Sequence, residues 1–335
     1  MYKIDIVGGS LSGLASAIIL KENNKDFEVV VHEKHKKIGF NIDGRRCGEA
    51  YYIADEWARW KPDKESIYSY ISEIKTYVKN KSYALKSNKE TSFVLNRQKF
   101  IAQLGRQAKK LNVKIKTNDK IESVEDLDCD YIIDASGCPS VIKKELGLNK
   151  GIKGVSYQQT LENSNKYEPD KLKIILTATG GYYWNFPRNP EKNEINLGIG
   201  TIYGDRGRLK YKLEKFKKEN NITGEINHEA GGLVPAGIQK PLIYKNILFV
   251  GDTGIGTFPL TGEGIYRALF SGDLAARAIL SDNINNYPKF IYQNFLKWDF
   301  LCKFFLQIIR VIGNISDDAI YFTWHRYLDW WYSLR

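Results

Sequence analysis

The sequence has 335 residues, 43% hydrophobic and 27% charged; that is enough apolar material for about two domains and excludes a disordered chain. Its net charge of +11 fits an anionic cofactor, an anionic lipid surface or simply a Lys-rich composition. The basic residues follow no RNA or DNA motif, so nucleic acid is set aside as a partner. There is no run of about 18 apolar residues to span a bilayer. The four cysteines, Cys47, Cys129, Cys138 and Cys302, and the four histidines have no metal spacing, so no metal is expected and a reducing cytoplasm is.

In chain order, an apolar strand is expected over residues 2–8, entered at once and leaving no room for a secretory leader. A helix of small and apolar residues follows over 13–22 and a second strand over 27–33. Residues 51–90 are polar and aromatic without a clear period. Asn96 then precedes a helix over 97–111, in which Phe100, Ile101, Leu104, Ala108 and Leu111 recur at helical spacing. Further strands are expected at 112–117 and 130–135. Between 151 and 235 the texture changes, with strands at 154–161, 172–178, 181–187 and 194–201 that read as an antiparallel sheet. A last apolar strand at 247–250 runs into a glycine-rich loop and a helix over 265–280. From 286 onward the chain is rich in aromatics.

Three segments carry chemistry. The run Gly8-Gly9-Ser10-Leu11-Ser12-Gly13 sits between strand and helix, where a dinucleotide fingerprint must sit. Gly8 serves the tight turn, Gly13 the close approach of helix to strand, and the helix N-terminus offers N–H groups to a pyrophosphate. Ser10 replaces the middle glycine. Glu33 closes the second strand, placed to accept hydrogen bonds from a ribose. The second segment, Asp134-Ala135-Ser136-Gly137 with Ser140 behind, reads by itself as a plain turn. In the third, Asp252 follows an apolar strand, and Pro259 to Ile265 lead a helix N-terminus toward an anionic or electron-rich group.

The order and spacing of these segments resemble the FAD-binding monooxygenase and reductase superfamily that contains para-hydroxybenzoate hydroxylase, over residues 1–280. The resemblance implies FAD as cofactor. It implies contacts from Gly8, Ser10, Gly13 and Glu33 to the ADP half, from Arg97, and from Asp252 to the ribityl chain. Gly262, Glu263, Gly264 and Ile265 would lie beside the isoalloxazine. A narrower resemblance, to the geranylgeranyl reductases, rests on Tyr182-Tyr183-Trp184-Asn185-Phe186-Pro187, on Asn196 to Gly200, and on Arg45-Arg46-Cys47-Gly48-Glu49. It implies that Arg46, Cys47 and Gly48 approach the flavin and that Cys47 is the catalytic side chain, as proton donor, gate or packing residue. It also implies an isoprenoid lipid substrate whose double bonds are reduced, with electrons from an external donor, ferredoxin or NAD(P)H. On a strand, Tyr182, Trp184 and Phe186 alternate onto one face and, with Pro187, could wall an apolar slot; filling a core is the plainer reading.

The fold expected is therefore α/β: a Rossmann-type FAD-binding domain (1–50, 91–150, 240–285), an inserted antiparallel-sheet substrate domain (51–90, 151–239) and a C-terminal helical tail (286–335). The tail mixes aromatics with Lys297, Lys303 and Arg310, which suits either packed helices or peripheral contact with a membrane surface. Two other functions are compatible with the motifs: an aromatic monooxygenase using NAD(P)H and O2, and a non-catalytic electron-transfer flavoprotein.

Overall fold

The computed structural model describes residues 2–40, 48–53, 59–78, 80–148, 150–177, 180–202, 207–312 and 316–333. It contains two compact units: Met1–Ile42, Arg97–Lys153 and Val234–Phe300 form the first, and Asp43–Asn96, Gly154–Leu233 and Leu301–Arg335 the second.

The first unit is built on strands β1 (Lys3–Val7), β2 (Glu28–Glu33), β8 (Lys114–Thr117), β9 (Tyr131–Asp134), β15 (Ile243–Tyr244) and β16 (Ile247–Phe249), in the order β15-β16-β9-β1-β2-β8. All neighbours are parallel except the β15–β16 pair. Both faces of such a sheet must be covered, and the sequence supplies near-continuous apolar strands such as Ile4, Ile6 and Val7, all buried. The chain leaves β1 toward β2 on one side and later adds β9 on the other. The ends of β1 and β9 therefore form a topological switch point, where such sheets bind ligands.

Helix α1 (Leu11–Asn23) is buried on nearly every side. It crosses α5 (Ile265–Leu280) through small residues: Ser16 Oγ donates to the Gly272 carbonyl at 3.0 Å, and a Cβ at Gly272 would lie 2.2 Å from the Ser12 carbonyl oxygen. Helix α2 (Arg97–Lys110) buries Phe100, Leu104, Gly105 and Ala108. This is the stripe that its helical period called for. Helix α3 (Val141–Glu145) is capped by Ser140, whose hydroxyl accepts from the Lys143 N–H.

The second unit holds a seven-stranded sheet in the order β14-β10-β13-β12-β11-β5-β6 and a three-stranded sheet β3-β7-β4. The large sheet comprises β5 (Glu73–Val78), β6 (Lys81–Lys86), β10 (Lys153–Glu162), β11 (Lys171–Leu176), β12 (Tyr182–Pro187), β13 (Ile195–Thr201) and β14 (Glu225–Pro235); the small one comprises β3 (Ala50–Tyr52), β4 (Ile67–Tyr70) and β7 (Ser92–Leu95). The large sheet is not wholly antiparallel as expected, because β11 pairs β5 in parallel. Five short strands occupy residues 50–95, where no period was read. They are three to six residues long and interrupted by turns, too short for alternation to register.

Helix α4 (Leu209–Glu219) covers one face of the sheet, with Leu209 and Leu213 buried against Leu161, Ile195, Leu197 and Ile199. Tyr183 points to this face and stacks on Phe216, ring centres 4.1 Å apart. The aromatic C-terminal segment is helical, as its spacing suggested: α6 (Asn286–Ile291), a π-helical turn at Tyr292–Leu296, α7 (Lys297–Ile312) and α8 (Asp317–Ser333). It does not stand apart as a third body, since it divides between the two units at Phe300. Among the described residues no helix is long and apolar enough to cross a membrane.

Candidate active site

In the first unit the glycine loop closes on the switch point. Gly8 has φ +109°, and a Cβ there would sit 2.6 Å from the Ala135 carbonyl oxygen at the end of β9. Only glycine tolerates both constraints. A Cβ at Gly13 would lie 2.2 Å from the Gly8 carbonyl oxygen, so this glycine sets how closely α1 approaches the loop. Ser10, in the middle-glycine position, is the N-cap of α1: its side chain accepts from the Gly13 N–H at 3.3 Å. A serine is thus at home where the fingerprint prefers glycine, because it satisfies a donor of the first turn. No acidic residue lies in that first turn, and the dipole there favours an anion.

Glu33 ties the end of β2 to the same loop. One carboxylate oxygen accepts from the Gly9 N–H at 2.9 Å, and the other from the His35 N–H at 2.8 Å and from His35 Nδ1 at 2.7 Å. A carboxylate has about four lone-pair sites, so Glu33 can hold the loop and still accept from a ribose hydroxyl. Asp134 is buried and serves the scaffold beneath: it accepts from the Ser136 N–H at 2.9 Å and from the Ser140 hydroxyl. Burial holds its carboxyl above the usual carboxylate range against those hydrogen bonds.

The third motif packs directly beside the first. Gly251 has φ +58°, and a Cβ there would lie 2.5 Å from Ser12 Oγ; its N–H donates to Ser271 Oγ at 2.8 Å. Asp252 stays open to solvent, yet surrounding protein raises its carboxyl pKa, with the charges of Arg97 and Arg267 opposing. Arg97 and Asp252, expected from the sequence as separate cofactor contacts, are near enough for the charge of Arg97 to act on the Asp252 carboxyl. Gly262 (φ +72°), Glu263 and Gly264 form the turn into α5, with the Phe258 N–H donating to the Glu263 carbonyl at 2.9 Å. Helix α5 starts at Ile265 with no side-chain cap and no acid in its first turn, leaving backbone donors for an electron-rich ligand edge.

Arg267 was not picked out by the sequence reading. It is fully buried and donates to the carbonyls of Gly256 and Ile255 at 2.9 and 2.6 Å, and to Asp299 Oδ1 at 2.7 Å. Its guanidinium lies 4.5 and 4.7 Å from the ring centres of Phe258 and Phe295. It pins the loop that precedes α5. The available signal was an arginine in the apolar first turns of α5 and a lone aspartate among the aromatics of α6 and α7.

In the second unit, Tyr182, Trp184 and Phe186 lie on the sheet face opposite the α4 core. The indole of Trp184 lies flat on β13: a Cβ at Gly198 would be 2.1 Å from its ring, and one at Gly200 3.5 Å. Its Nε1 donates to Asn196 Oδ1 at 2.6 Å. Tyr182 sits 6.0 Å from it, ring to ring. A Cβ at Gly48 would be 2.9 Å from the Phe186 ring, so the Gly48 segment rests on this aromatic row. Phe186 also packs against Ile71, Val94 and Leu172, so part of the row does fill a core. Pro187 ends the strand, buried. Arg46 and Cys47 lie outside the described residues. Arg188, also unforeseen, is buried and bridges Glu49 and Glu194, bonding Glu194 Oε1 at 2.7 Å. It thereby ties the residue after Gly48 to the end of the aromatic strand.

Sequence comparison accords with this division. Residues 6–67 match the profile of an NAD(P)-binding Rossmann-like domain, and residues 153–234 that of the geranylgeranyl reductase catalytic domain. The digeranylgeranylglycerophospholipid reductase of Methanococcus vannielii is 25% identical, over 95% of this chain and 88% of its own. In these respects the chain is similar to the geranylgeranyl reductase family. The match to the catalytic domain of that family covers β10 to most of β14 and so contains the whole aromatic row. Among solved structures, a geranylgeranyl bacteriochlorophyll reductase-like protein from Thermoplasma acidophilum superposes with a TM-score of 0.76 at 22% identity, covering 96% of this chain and 95% of its own. CtdE, solved in complex with FAD and a substrate, gives 0.71 at 15% identity, covering 95% and 92%. Both share the fold. A flavin cofactor is in keeping with the family and with the cradle of the first unit.

Proposed function

We propose that this protein is an FAD-dependent reductase that saturates the isoprenoid double bonds of geranylgeranyl lipids. The observation that carries the reading is Trp184 lying flat on Gly198, within the segment that matches the reductase catalytic domain. Two glycines of β13 make room for an aromatic wall, and an apolar wall is what a prenyl chain needs. Each buried methylene-sized group contributes up to about 0.8 kcal/mol, so no charged anchor is required along the chain.

Bound FAD would supply, from its reduced ring, the hydride that an alkene lacks the polarity to attract in water. The residues of this chain do the remaining work. The N-terminus of α1 would hold the pyrophosphate, Glu33 a ribose and Asp252 the ribityl chain, and the uncapped N-terminus of α5 would offer donors to an electron-rich group. Tyr182, Trp184, Phe186 and Pro187 hold the prenyl chain and exclude water, which raises the value of alignment. Cys47 is assigned to the reacting carbon, as proton donor or gate; a Cys47→Ala protein with full turnover would remove that role. The two electrons come from an external donor, a ferredoxin or NAD(P)H.

The lipid has to be drawn from a membrane, and α7 presents exposed Phe300, Phe304 and Val311 beside Lys303 and Arg310. This pattern supports peripheral contact with an anionic surface. Binding to anionic vesicles at low salt, lost at high salt, is the expected result; indifference to vesicles would refute it.

The function is tested by anaerobic reduction of the flavoprotein with dithionite, followed by addition of a geranylgeranyl glycerophospholipid. Reoxidation of the flavin by the lipid, without O2, is expected. Reoxidation only by O2 in the presence of an aromatic substrate would replace the reductase with a monooxygenase.

A further inference from the structure

The sheet face that carries Trp184 also carries polar side-chain atoms that bond no described residue. In register, Trp184 pairs with Gly198 and Gly198 with Gln158; one step along, Phe186 pairs with Asn196 and Asn196 with Thr160. Directly paired residues point to the same side, so Gln158, Thr160 and Asn196 share the face of the aromatic row. All three are buried, with 5%, 0% and 0% of their surface exposed. Gln158 Nε2, Thr160 Oγ1 and Asn196 Nδ2 have no hydrogen-bond partner among the described residues.

The Asn196 orientation is fixed by chemistry. An indole N–H only donates, so the Asn196 oxygen must face Trp184 and its NH2 must face away. Leaving such groups unmet costs about 1–3 kcal/mol each, and here three of them meet on adjoining strands of one sheet face.

We propose that Gln158, Thr160 and Asn196 form a subsite for an uncharged acceptor oxygen of the substrate, the ether oxygen that joins a prenyl chain to glycerol. This deepens the reductase reading and rests on it. The three groups offer two amide NH2 donors and a hydroxyl. No lysine or arginine stands at the paired positions of β10, β12 and β13 on this face, and Arg188 just beyond Pro187 is taken up by Glu49 and Glu194, so a phosphate or diphosphate would be desolvated there without a free counter-charge. An ether or ester oxygen accepts hydrogen bonds without that cost. Gln158 is two strands from Trp184, about 10 Å at the usual strand spacing. Asn196 bonds the Trp184 indole directly, so the subsite extends from the aromatic wall across two strands and would fix which end of the prenyl chain leads, and so the register in which its double bonds are presented.

The test uses the full-length flavoprotein and two saturated probes, diphytanylglycerol and the hydrocarbon phytane, so that binding is read without any turnover. Wild type is expected to prefer the diether. Thr160→Val and Gln158→Leu should each weaken diether binding roughly 3- to 10-fold, the worth of one hydrogen bond, and leave phytane unchanged; Thr160→Ser should restore the preference. A wild type with no preference, or variants that retain it, would overturn the subsite and leave the groups to internal water. Selective binding without reduction of any prenyl lipid would instead refute the reductase reading alone.

Discussion

Both units depend on glycine, but for opposite ends. In the first, Gly8 and Gly13 let backbone approach backbone, so that a helix N-terminus stands open over the end of the sheet. In the second, Gly198 and Gly200 clear a strand so that an indole can lie on it. The first use presents polar donors, and the second builds an apolar wall. Under the proposed function, the difference would divide the chemistry into holding an anionic cofactor and holding a hydrocarbon.

The largest effect expected on this comparison is at the support of the first unit. Arg267→Met leaves Asp299 buried without its partner, which should cost about 3–5 kcal/mol and appear as a large drop in the thermal unfolding temperature. A small drop would mean that the loop before α5 is held by other contacts. Next comes Gly13→Ala. Alanine is intrinsically better in a helix by about 1 kcal/mol, so any loss must come from the 2.2 Å approach to Gly8. Overpacking of about 1–3 kcal/mol translates to roughly 5- to 150-fold weaker flavin binding, readable from flavin absorbance at equal protein. Gly198→Ala should spare the flavin and weaken prenyl-lipid binding, by roughly 5- to 50-fold through displacement of the Trp184 ring. If Gly198→Ala lost flavin instead, the division of labour would fail.

The smallest effect concerns pH. His32 is buried in the first unit between Asp5 at 3.1 Å and Asp119 at 2.9 Å. Burial pushes the His32 pKa down, but the hydrogen bonds its ring makes to both carboxylates outweigh it and raise the value. Asp5 is held below the usual carboxylate range, its own burial being outweighed chiefly by His32. The His32 contribution is full below about pH 6.5, the unperturbed value, and is lost as pH rises through its raised pKa. The Asp5 contribution is full above about pH 3.9 and is lost as pH falls through its lowered pKa. Stability from this pair should therefore peak at mildly acid pH, and a His32→Gln protein should lose that peak. An unchanged pH profile of urea unfolding would remove the pair from the stability account.

What could be read from the sequence follows the same division. The β1–α1–β2 unit is written in contiguous residues, with Gly8, Gly13 and Glu33 in fixed relation to an apolar strand, so local chemistry sufficed. Helix α5 was equally plain, because its apolar period begins after Gly264. The strands between residues 50 and 95 were not legible, since their pairing is set by partners far along the chain: β5 joins β11 about a hundred residues away. The same holds for Arg267 with Asp299 and for Arg188 with Glu49, whose roles exist only once distant segments meet. Gln158 and Thr160 look like ordinary strand residues until the register sets them beside Asn196.

The central claim is that this protein adds hydrogen to prenyl double bonds. The direct measurement is mass spectrometry of a geranylgeranyl glycerophospholipid after anaerobic incubation with the dithionite-reduced protein. The account predicts products heavier by one H2 for each bond reduced, absent with oxidised protein. A fully reducible flavoprotein that leaves every prenyl lipid unchanged would contradict it.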